Sequence, residues 1–225
     1  MATLVSRASR SFTLEDVRAR ATKLYTLIAW IHVPAAIAIA LNSHNAWLIP
    51  TLILAIGALV LTISARVLPS GLTLRTIAAV VLTMAPIVFV FLGRGDHSGF
   101  TGNGDWQIDY HMYFFAIFAM LVGYIDWRPI VVSAALTAVH HLIFNLVAPW
   151  AVFPEEGLDR VFLHAVCVVA EVSVLIWITT TVQALFTRID ELMDFTTQAT
   201  AEAIADQVAE KAALQAQVDA LRATA

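Results

Sequence analysis

The amino-acid sequence predicts an all-α membrane protein of six transmembrane helices, the last continuing into a cytoplasmic helix or coiled coil. Three observations carry that expectation. Of 225 residues, 60% are hydrophobic and 13% charged, with a mean hydropathy of +0.79, well beyond the usual balance of soluble domains. Apolar runs recur at lengths close to the ~20 residues a helix needs to cross the hydrocarbon core. Lys and Arg gather on alternate connections, as the positive-inside rule describes.

Taken in order, residues 1–23 form a polar lead with Arg7, Arg10, Arg18, Arg20 and Lys23. The first span is Leu24–Leu41. Its Ala38 and Ala40 mimic a signal-peptidase site, but the polar lead and the apolar stretch are both long for a secretory signal, so the segment is read as a retained span. The second span, Ala46–Ala65, and the third, Thr76–Leu92, are separated by Arg66 and Arg75. A glycine-rich connection from Gly93 to Asp109 follows, with Gly95, Gly99, Gly102 and Gly104 beside Asp96, His97 and Asp105; it reads as a mobile lid or as a plain solvated loop. The fourth span, Tyr110–Ile125, and the fifth, Ile130–Ala148, are joined by Asp126-Trp127-Arg128-Pro129, too short for anything except an antiparallel hairpin, with Pro129 suited to a first helical position. The sixth span is Val161–Thr187.

Arg188 and the basic residues named above share one side, and the other side offers Arg94 and Arg160, which places both termini in the cytoplasm. Trp47, Trp106 and Trp150 then fall at the outer interface and Trp127 at the inner one, forming aromatic belts. Domain organisation is therefore 1–23, a cytoplasmic N-terminal segment; 24–187, a six-helix membrane domain; and 188–225, a cytoplasmic helical linker. That linker is rich in Ala, Gln and Glu and contains no Gly or Pro, a composition that favours continuous helix. Ile204 with Val208, and Leu214 with Val218 and Leu221, have spacings of three and four that suit a coiled-coil seam, although the two groups are out of heptad phase. They read as the seam of a parallel homodimer or as one face of a solvated helix. A single cysteine, Cys167, excludes an intramolecular disulfide. The net charge of −4 without a basic cluster gives no footing for nucleic acid.

Histidines carry the chemistry. His111, His140, His141 and His164 lie in or at the edge of three consecutive apolar segments, all toward one membrane face, and an ionisable group in hydrocarbon is costly enough to mark a site with a partner. Asp109 flanks His111, and Cys167 and Glu171 follow His164 at one-turn intervals. Imidazole suits copper, zinc and iron, and a carboxylate from Asp109 or Glu171 would help balance the cation. A transition metal ion, copper or non-haem iron, is the expected cofactor; an inward Cys167 or Met112 would favour Cu(I). Haem b is the alternative, with two imidazoles as axial ligands and Arg160 and Arg94 for its propionates. A third reading has no cofactor, each histidine bridging helices by a hydrogen bond. His32, near Pro34, and His44 fit that bridging role, and His97 a solvated one.

The segments Asp109-Tyr110-His111-Met112-Tyr113-Phe114-Phe115, Tyr124-Ile125-Asp126-Trp127-Arg128, Ala138-Val139-His140-His141-Leu142, and His164-Ala165-Val166 with Glu171 resemble the N-terminal multi-span sensory domain of bacterial methyl-accepting chemotaxis proteins and related signalling proteins. The resemblance covers the last three spans. It implies a sensory input domain in the bacterial cytoplasmic membrane, with the helical tail leading to a cytoplasmic signalling module. A membrane metal-dependent oxidase is a competing class, but the spaced His boxes of desaturase-type enzymes are missing. A metal or proton transporter is another, and predicts discontinuous helices or repeats, neither of which is evident.

Overall fold

A computed structural model describes residues 13–94, 106–153 and 157–223. The N-terminal Arg7 and Arg10, and most of the glycine-rich connection with Asp96, His97 and Asp105, lie outside the described residues. Among those described there are six α-helices and no strand: α1 Leu14–Asn42, α2 Leu48–Val67, α3 Leu72–Leu92, α4 Gln107–Leu121, α5 Trp127–Val147 and α6 Leu158–Ala223. Five of them, all except α4, are long and apolar enough to cross a membrane.

Helix α1 begins ten residues ahead of the expected first span. Thr13 caps it through a capping box in which its hydroxyl accepts from the Asp16 amide, at 3.2 Å, while the Asp16 carboxylate accepts from the Thr13 amide at 3.1 Å. That reciprocal arrangement satisfies two otherwise orphaned donors, so the helix starts at the cap rather than where hydropathy rises. Helix α4 departs from expectation in the other direction. Its 15 residues rise only ~22 Å, and the chain then tightens into a 3-10 turn over Val122–Tyr124 and stops at Ile125, which sits in the left-handed region at φ 49°, ψ 47°. Asp126 next caps α5 by accepting from the Arg128 amide at 3.1 Å. Pro129 therefore stands at the third helical position, two beyond the one expected.

The interior is built as membrane helices require, from small residues that let backbones approach. Ala36, Ala40, Ala58, Ala78, Ala79 and Ala85 are fully buried. Helix α3 is the hub: α1, α2, α4 and α5 all contact it. The apolar surface points outward, with large side chains such as Ile49, Ile56, Leu146 and Trp177 exposed, as expected where the surroundings are lipid. On the side where Arg66, Arg75 and Arg128 lie, the buried Arg75 guanidinium holds Asp126 at 2.9 Å and donates to the Ser70 carbonyl at 2.8 Å. That pair ties α3 to the α4–α5 connection.

The chain divides into two compact units, Met1–Thr181 and Val182–Ala225. In the first, the α6 segment is sparsely packed, with Val172 and Thr179 its buried residues. In the second, helix runs unbroken to Ala223 and every described side chain from Leu185 on, Phe186 apart, is exposed.

Candidate metal centre

Three of the four candidate histidines meet at the junction of α4, α5 and α6. Ring centres of His111 and His141 are 5.4 Å apart, His111 and His164 5.5 Å, and His141 and His164 5.7 Å, a nearly equilateral triangle. Each ring is held by its own helix in the same way. His111 Nδ1 lies 2.7 Å from the Gln107 carbonyl, His141 Nδ1 2.8 Å from that of Thr137, and His164 Nδ1 2.8 Å from that of Arg160. A carbonyl oxygen only accepts, so Nδ1 carries the proton in all three and the lone pair of each neutral ring resides on Nε2. The Nε2 atoms of His111 and His141 are buried with no hydrogen-bond partner, which leaves two acceptors without compensation.

Aromatic rings close the triangle. Phe153 lies parallel to His111, interplanar angle 5° and centres 5.2 Å apart, and also 5.2 Å from His164. Phe114, one turn beyond His111 on α4, stands 5.2 Å from His141. Sequence reasoning missed both, because an aromatic residue in an apolar run carries no signal of which neighbour it will cover. A mostly apolar cavity of about 440 Å³ adjoins the triangle, lined by His111, His141 and His164 with Phe114, Val168 and Val172 among others.

A metal–nitrogen bond of ~2.0–2.1 Å puts each imidazole centre about 3.2 Å from the ion, so three imidazoles on one ion at trigonal to tetrahedral angles stand about 5.2–5.5 Å apart. Two of the observed spacings, 5.4 and 5.5 Å, lie within that range, and the third, 5.7 Å, lies just above it. Among the described residues, no three His, Cys, Asp or Glu side chains are placed to hold an ion as they stand, although the ring spacing is near that of a three-imidazole site.

The remaining candidates are placed elsewhere. His140 is 5.3 Å from His141 but turns toward Phe144, at 5.0 Å, as the ~100° step between adjacent helical residues dictates. Asp109 is exposed, and so are the two candidate soft ligands, Cys167 and Met112. Glu171 is half-buried, with Oε2 lacking a hydrogen-bond partner. Arg160 contributes its carbonyl to His164. Arg94 packs over Phe91 and Trp150, 4.1 and 4.7 Å from their centres. His32 stands apart, 2.7 Å from the Tyr113 hydroxyl, a helix-bridging hydrogen bond of the expected kind, and His44 is exposed. No family model, curated protein or solved structure matches this chain.

Proposed function

We propose that this chain is a six-span sensory input domain of the bacterial cytoplasmic membrane, with both termini cytoplasmic. It holds a copper or non-haem iron ion through His111, His141 and His164. The observation that carries the reading is the triangle of imidazoles with matched tautomers and two orphaned Nε2 atoms. Three helices each spend a histidine there, and each histidine has its orientation set by a carbonyl of its own helix. This is how a protein orients metal-ligating imidazoles. An ion at that position would supply redox change or an open coordination place. The chain's own part is to set the three lone pairs, to exclude water with Phe114 and Phe153, and to admit small apolar ligands through the adjoining cavity.

His164 belongs to α6, the helix that continues into the second unit. A change in occupancy at the triangle that interacts differently with two positions of α6 shifts the balance between them, and the helix carries the change toward a cytoplasmic output module. The apolar cavity favours one alternative, haem b seated between α5 and α6. A single preparation separates the two. Protein purified without chelators is expected to carry copper or iron at about one equivalent per chain, with no Soret band. A strong Soret band would establish haem instead, and neither metal nor Soret band would overturn both.

A further inference from the structure

A second cavity, of about 350 Å³, lies on the other side of α5 from the triangle. Ala46, Ile49 and Ile53 from α2 and its approach, Phe91 from α3 and Phe144 from α5 form its apolar wall. Two polar groups line it, Arg94 and His140, and each has one buried nitrogen without a hydrogen-bond partner among the described residues. The Arg94 guanidinium forms no ion pair among the described residues, and its buried Nη1 has no hydrogen-bond partner. His140 is 6% exposed and its Nδ1 has none either. Neither group is there by slack. Asn45 pins the chain at Arg94 by donating from Nδ2 to the Leu92 and Arg94 carbonyls, at 2.8 and 2.9 Å, and His140 rides on the helix whose next residue, His141, faces the triangle.

A half-buried guanidinium with one buried nitrogen unsatisfied, and a buried imidazole with another, are costly in an apolar chamber, and in membrane proteins such groups face a partner. The volume is that of an ordinary ligand pocket, ~300–1,000 Å³. Guanidinium recognises a carboxylate through charge-assisted hydrogen bonds, and an imidazole N–H is a donor suited to the second oxygen. The apolar wall takes one hydrocarbon chain. We propose that this chamber binds a single-chain carboxylate amphiphile, a long-chain fatty acid drawn from the membrane, with its head held between Arg94 and His140. The proposal goes beyond the metal reading and removes His140 from the ligand set.

The test uses the full chain in nanodiscs, incubated with oleate, with oleyl alcohol or with added phosphatidylglycerol, and bound amphiphile counted by native mass spectrometry. About one oleate per chain is expected, with oleyl alcohol at least tenfold weaker and phosphatidylglycerol unable to displace oleate. Arg94→Gln is expected to weaken oleate tenfold or more, Arg94→Lys only a few fold, and Ile53→Trp, which fills the chamber and keeps the charge, to abolish binding. Metal content, unchanged in all three, reports that the fold is intact; if Arg94→Gln does not fold, Ile53→Trp and the alcohol comparison decide. Equal retention of oleyl alcohol, indifference to both Arg94→Gln and Ile53→Trp, or displacement by phosphatidylglycerol would each overturn the proposal. So would loss of metal in His140→Gln with oleate binding unchanged.

Discussion

At the residue scale, adjacent histidines divide the labour. His140 and His141 share a helix turn, yet their side chains enter different cavities, one beside Arg94 and the other beside His111 and His164. Alanine at His111, His141 or His164 is expected to lower retained metal at least tenfold, because two imidazoles without a carboxylate make a weak site. His140→Ala is expected to retain it. Metal content of the four purified variants, measured by mass spectrometry, checks both statements, and equal loss in all four would restore His140 as a ligand. Glycine matters here at one close approach. A Cβ on Gly93 would overlap the Tyr110 ring, so this glycine sets how near α4 comes to the end of α3, and with it where His111 stands.

At the scale of elements, α4 and α6 are the unusual ones. Helix α4 is shorter than the ~20 residues of a normal span, and the left-handed turn at Ile125 and the Arg75–Asp126 pair close it off. Helix α6 is the opposite, a 66-residue helix with few buried side chains in its apolar half. The proposed signalling role falls on it because it carries both His164 and the tail. In the proposed receptor, with its output module attached, inserting a flexible Gly-rich break after Arg188 is expected to abolish output while metal content stays at wild-type level, since a Gly-rich linker transmits no displacement. His164→Ala in the same receptor is expected to remove the response and preserve expression. Output that still follows the stimulus with both changes present would rule out α6 as the transmitting element.

For the whole molecule, the open question is what covers the outward apolar residues. Within the first unit, Phe162, Leu163, Val166, Val169 and Trp177 of α6 are exposed, a face that lipid or a second copy can occupy. In the second unit Ile204, Val208, Leu214, Val218 and Leu221 are exposed, and an isolated helix leaves such a row in water. A parallel homodimer through the tail is the arrangement we expect. With Cys167→Ser as background, Val218→Cys and Leu221→Cys are expected to form disulfide-linked dimers in membranes under mild oxidation, and Ala216→Cys, on the opposite face of the helix, markedly less. Equal cross-linking at all three positions, or none, would make the tail a solvated helix.

Much of this was legible in the chain itself, because lipid imposes a simple code. A long apolar run has one inexpensive backbone solution, the helix, so the helix count, the hairpin at Asp126 and the unbroken tail follow from hydropathy and from where Gly and Pro are absent. The level of the histidines follows from 1.5 Å of rise per residue. What hydropathy cannot encode is rotation about the helix axis, since an apolar helix in lipid is apolar on every side. Packing alone decided that His111, His141 and His164 turn toward each other while His140 turns toward Phe144 and the chamber that Arg94 also lines. It also decided that Cys167, Met112 and Asp109 face outward, and that Phe153, from a connection and not a helix, lies flat on His111. These depend on which small residues allow α1, α2, α4 and α5 to approach α3, a property of helix pairs that no single segment carries.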